Sequence, residues 1–155
     1  MKTANYLLLV VLTSICSACF GGTRLSSGVQ CDSVINTYFK LPRKEQVQKF
    51  TLQSQDDQYV IYMCGSQAIE PPVMGFAGAY ASEGAAVVPF LKNKLQSAGD
   101  DLTVRDLVLV FNQMNTAKTY DVVHDNELID LIKQKVAGMK DAQWKQITEK
   151  MVPGE

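Results

Sequence analysis

From about Gln30 onward, apolar residues recur three and four positions apart and almost never alternate with polar ones, a spacing that commits the chain to helices. Val104, Leu107, Val108, Phe111 and Met114 give the clearest stripe. No Asn-Gly or Asp-Gly hairpin dipeptide occurs anywhere, so the usual short-range signal for paired strands is missing. The fold class expected is all-α. It would be a compact helical bundle, or a short array of antiparallel helix pairs, built from residues 30–155.

The punctuation residues divide this region. A first helix is expected over 31–39, with Val34, Ile35, Tyr38 and Phe39 inward, broken at Leu41-Pro42. A short polar helix over 43–50 follows, touching the core through Val47 and Phe50. Ser54, with Asp56 and Asp57 behind it, has the form of a helix start, because a hydroxyl and acids suit the positive end. That helix runs to about Ile69 and is apolar round much of its circumference, so a central place is expected. Pro71-Pro72 ends it. The Gly/Ala-rich stretch 73–82 reads as a loop or, preferably, as a helix with a small-residue face. Gly84 marks a stop. Pro89 sits in the next helical stretch, 85–96, which is either kinked there or begins there. Asp100, Asp101, or Thr103 with Asp106 would cap the strongest helix. Residues 115–125 read as a connection that holds an extended stretch. Helices over 126–137 and from Asp141 onward close the chain, with Trp144, Ile147 and Met151 as the final stripe.

The first eighteen residues have a different character. Lys2 precedes an apolar run over 6–15, and the small residues Ser17 and Ala18 come next. This is the order of an export signal, with a basic start, an apolar middle and a small cleavage region. The run is shorter than the roughly 20 residues a membrane-spanning helix needs. Ser17-Ala18-Cys19 resembles the lipobox of bacterial lipoproteins, although Cys16 stands where an aliphatic residue is usual. The resemblance implies removal of residues 1–18 and lipidation of Cys19. With Phe20 after it instead of an acid, it also implies sorting to an outer membrane, facing the periplasm. Cleavage by an ordinary signal peptidase is the alternative. The Gly/Ser-rich residues 19–29 then read as a flexible tether.

Cysteine parity fits export. Cys16 leaves with the leader and Cys19 takes lipid, so Cys31 and Cys64 remain as an even pair in an oxidising compartment. They are expected to form a disulfide, the alternative being two separate buried thiols.

Residues 84–111 resemble a HEAT-type helical repeat. The matching features are the proline-containing apolar segment around Pro89 and the Val104-Arg105 dipeptide opening the partner helix. A weaker helix pair follows at 126–151. The resemblance implies stacked helix pairs that bind protein.

Charge excludes one class of partner. After loss of the leader, fourteen basic side chains face sixteen acidic ones, a net charge of −2. Nucleic-acid binding, which requires a concentrated basic surface, is not expected. No run of like charge marks an electrostatic membrane tail.

Catalytic signatures are few. His124 is the single histidine, so no multi-histidine metal site can form and no metal or cofactor is expected. The best cluster is Asp121, His124 and Asp125. It could be the centre of a hydrolase or a metal site, or simply a turn that caps the following helix with Asp125. Tyr59, Tyr62 and Tyr80 are candidate interaction residues, the alternative being core rings with wetted hydroxyls. The function expected is a non-catalytic cell-envelope lipoprotein presenting a helical surface to a protein partner. An immunity or inhibitor protein of the periplasm would share the small size, export, disulfide and lack of an active site. A carrier of small ligands would need an apolar pocket along the 75–81 helix.

Overall fold

The computed structural model of the chain describes residues 22–73 and 75–154. These form eight α-helices and no named strand. The helices are α1 (Asp32–Thr37), α2 (Arg43–Phe50), α3 (Gln55–Gln67), α4 (Gly75–Ser82), α5 (Val88–Ser97), α6 (Asp101–Ala117), α7 (Asn126–Ala137) and α8 (Ala142–Glu149). Short 3-10 turns at Tyr38–Lys40 and Gly84–Ala86 join α1 to α2 and α4 to α5. The all-α bundle expected from the periodicity is what the chain forms.

Short polar side chains set where the helices begin. Ser54 Oγ accepts from the Asp57 amide at 3.2 Å, Asp100 from Thr103 at 2.9 Å, and Asp125 from Leu128 at 3.0 Å. Asp141 accepts from both Gln143 and Trp144 at 2.9 Å. Each cap satisfies amides that a helix start otherwise leaves open. Of the three candidates for α6, Asp100 takes the role. Pro89 falls in the first turn of α5, where its missing N–H costs nothing, so that helix begins at the proline instead of kinking. Gly84 has φ of +59°, and a Cβ placed there would lie 2.7 Å from the Thr119 carbonyl oxygen. Only glycine fits that turn.

Two expectations about connections are corrected. Residues 115–117 extend α6, because no Gly or Pro interrupts them. Lys118 then ends the helix in the left-handed conformation with its amide on Asn115 and Met114. The remainder of the link is turns that bury Val122, not an extended stretch. The segment read as a flexible tether is tied from Thr23 onward. Leu25 N–H donates to Val29 O and Cys31 N–H to Thr23 O, both at 2.9 Å, and Thr23 N–H reaches Asp32 Oδ1 at 2.8 Å. Gly28, at φ +85°, makes the reversal, and Leu25 and Val29 pack on the core.

The core surrounds α6, whose Leu107, Val108, Val110, Phe111 and Met114 are fully buried. α4, built mainly of small residues and aromatics, packs along α6. A Cβ on Gly78 would come within 3.3 Å of Gln113 Oε1, the end of an α6 side chain. The 84–111 segment is α5 with most of α6, joined by three residues. An aromatic cluster covers the other end, with Phe50 stacked on Phe76 at 5.0 Å and edge-on to Tyr80 at 5.0 Å. A disulfide joins Cys31, ahead of α1, to Cys64 of α3, with Cα atoms 5.6 Å apart. Both cysteines are fully buried.

Candidate functional site

One concavity combines apolar walls with a charged floor. Tyr62 and Ser66 of α3, Val73, Ala77 of α4, Leu109 of α6 and Ile147 of α8 bound a groove of about 250 Å³. Its size is below the roughly 300–1,000 Å³ of pockets that enclose whole small ligands. It suits one large side chain or a ligand fragment. Ile147 keeps 39% of its surface exposed at the mouth.

The polar end is the pair Arg105 and Asp106, adjacent on α6. Asp106 Oδ1 accepts from Arg105 Nε at 2.8 Å and lies 2.6 Å from Arg105 Nη2. Its other oxygen accepts from Gln67 Nε2 at 2.8 Å. The Asp106 side chain is 3% exposed and that of Arg105 17%. Burial pushes the Asp106 carboxyl up, while the Arg105 guanidinium and the Gln67 amide pull it back. Arg105 also lies over the Trp144 ring, 4.4 Å from its centroid, so α8 is held to α6 by a cation–π contact. Tyr62 donates to the Asp106 backbone carbonyl at 2.7 Å. Every oxygen of this carboxylate is thus committed to a donor, which makes it a positioning group for Arg105 rather than a free base.

The Asp121, His124 and Asp125 cluster is arranged differently. His124 Nδ1 lies 2.8 Å from Asp121 Oδ2, but the two side chains are 83% and 67% exposed. Asp125 turns away. It caps α7 and accepts from the Tyr120 hydroxyl at 2.6 Å. The Tyr120 bond, first, and the Leu128 amide hold its carboxyl below the usual range. The same hydrogen bond, with burial, raises Tyr120 to about 12. The three groups do not converge on a cleft, so a hydrolytic or metal centre built from them lacks its geometry. Among the described residues, no group of three or more His, Cys, Asp or Glu side chains is placed to share a metal ion.

The candidate tyrosines sit in the core. Tyr62 and Tyr80 are 1% and 0% exposed, and Tyr59 is 8% exposed. Tyr80 donates to the Gln55 carbonyl at 3.1 Å. Burial raises the hydroxyls of Tyr62 and Tyr80, and takes Tyr59 to about 12. Tyr59 reaches the surface only as a platform for Lys94, whose ammonium lies 4.8 Å above the ring. None of the three offers a partner an exposed face, although Tyr62 walls the groove. Cys19 lies outside the described residues. Sequence reasoning missed the Arg105, Asp106 and Trp144 constellation. Its signal was a charged dipeptide set in the longest of the described helices, between the buried Val104 and Leu107.

The small-residue helix α4 gives the groove Ala77 alone. Comparison of the chain with protein-family models, with curated proteins and with solved structures found no match.

Proposed function

We propose that the chain is a cell-envelope lipoprotein, anchored through Cys19 after loss of residues 1–18, whose helical domain binds another protein without acting on it chemically. The docking point is the groove between α3, α4, α6 and α8, which takes one large apolar side chain of the partner. The groove carries this reading. It sets exposed Ile147 beside an arginine already fixed over a tryptophan, and arginine with aromatic rings is the composition of interface hot spots. The Cys31–Cys64 disulfide supports residence in an oxidising compartment.

Affinity capture from envelope extracts, run with the wild-type chain and with Ile147→Asp, tests the docking point. The charged variant is expected to lose the captured protein while keeping its helical signal. Equal capture by both chains, or a small molecule co-purifying in place of a protein, sinks the reading. Intact mass of the native protein, with and without reduction, tests leader removal, acylation and the disulfide together.

A further inference from the structure

Charge along the chain is divided unequally. Residues 22–53 carry five basic side chains (Arg24, Lys40, Arg43, Lys44, Lys49) against Asp32 and Glu45, a net charge of +3. From Ser54 onward nine basic side chains face fourteen acidic ones, a net charge of −5. The fold gathers much of the positive part around α2. That helix buries only Gln46 and Phe50 and exposes the rest of its circumference. Lys49 is answered by Glu45 at 3.7 Å. Lys40, Arg43 and Lys44 are exposed and pair with no acid among the described residues.

Two further observations separate this surface from an ordinary solvated face. Arg43 and Lys44 are the first two residues of α2, where the helix dipole is positive and cations are unfavourable. The start has no side-chain cap, and the one acid of its first turn, Glu45, pairs with Lys49. Apolar groups also stand among the charges. Val47 shares a side of the helix with Arg43 and Lys44 and is 37% exposed, and Leu52, just past its end, is 80% exposed. Cations interleaved with exposed aliphatics match a bilayer interface, which offers anionic headgroups above an apolar layer.

Position completes the argument. Thr23 is hydrogen-bonded to Asp32, which opens α1. Cys19 is three residues ahead of Gly22, so a lipid there holds this point within about 10 Å of the membrane. From Asp32, α1 and its 3-10 turn reach Lys40 in nine residues, about 15 Å of helix. We propose that Lys40, Arg43, Lys44, Val47 and Leu52 form a contact surface for the anionic phospholipid bilayer that carries the anchor, fixing which side of the domain faces the membrane. This deepens the proposed function and rests on its anchoring step for the placement.

The test uses the native protein on phosphatidylglycerol-containing vesicles and on pure phosphatidylcholine vesicles, with amine labelling read residue by residue by mass spectrometry. Each cation near an anionic surface changes partitioning by a factor of roughly five. Labelling of Lys40 and Lys44 is therefore expected to slow at least about fivefold on the anionic vesicles, with Lys140 and Lys150 unchanged. About 1 M salt, where screening acts within roughly 3 Å, is expected to remove the effect. A Lys40→Glu, Arg43→Glu chain, altered only at exposed positions, is expected to lose the same protection at Lys44. Uniform slowing at all lysines, no slowing, or protection of Lys44 that survives in the double variant overturns the proposal. The mass of the native protein separates the two readings. Selective protection of an unacylated chain leaves the contact surface standing and removes the anchor. An acylated chain labelled alike on both vesicles does the reverse.

Discussion

Reduction of the Cys31–Cys64 disulfide gives the most direct measure of what stabilises this bundle. The bridge spans 33 positions of sequence. On the chain-entropy account, closing such a loop removes roughly 3–4 kcal/mol of freedom from the unfolded state. Reduction keeps every heavy atom, and both sulfurs are fully buried among apolar groups that tolerate a thiol, so no cavity term complicates the comparison. A domain of about 125 residues gains roughly 0.26 kcal/mol/K of entropy on melting. The expected fall in Tm is therefore about 12–15 °C. Circular dichroism melts of the oxidised protein, the reduced protein and the Cys31→Ala, Cys64→Ala chain supply the measurement. The double variant should melt at or slightly below the reduced protein. A drop smaller than about 4 °C on reduction would refute the reasoning, because it would mean that the unfolded chain already holds α1 near α3.

Other perturbations follow from single contacts. Asp125→Ala removes the α7 cap and the Tyr120 hydrogen bond together and is expected to cost about 1–2 kcal/mol in denaturant unfolding. His124→Ala, at an 83% exposed side chain, should leave stability within about 0.5 kcal/mol. Since its native partners hold the Asp125 carboxyl below the ordinary 3.8, its contribution is complete above that value. It should drain away as pH falls through the lower folded value, and the Asp125→Asn chain should lack that part of the acid transition. Gly84→Ala forces a side chain into left-handed backbone against Thr119 O, with an expected loss of about 1–3 kcal/mol by the same assay. Asp106→Ala strips the buried partner from Arg105 and is expected to cost about 3 kcal/mol or more. It should also loosen α8, read as faster hydrogen exchange at Trp144 to Thr148.

Helix positions were legible because their causes are local. Ser54, Asp125 and Asp141 cap the helices that their sequence contexts announce, and the 43–50 and 126–137 segments have the bounds that their apolar spacing implies. Pro89 left two outcomes open, and the choice fell to its place in the first turn of α5. What sequence could not supply was the partner of each face. Val47 looked inward by spacing, yet Gln46 and Phe50 are the residues that meet the core, because α2 is rolled toward the aromatic cluster. Tyr59, Tyr62 and Tyr80 have the composition of an interface, and only tertiary packing shows their rings turned inward. The groove was illegible for the same reason. Its walls come from four helices separated by up to 85 positions, from Tyr62 to Ile147, and no local pattern brings Arg105 over Trp144.

The disulfide also decides how the domain would bear tension. Any pull arriving from the N-terminal side reaches Cys31 and passes through the sulfur bridge to Cys64, leaving the enclosed loop out of the load path. About 120 Å of potential extension is withheld. Such a domain cannot be unzipped progressively from its first helix: the force goes directly to α3, in the middle of the bundle, and gives way there or not at all.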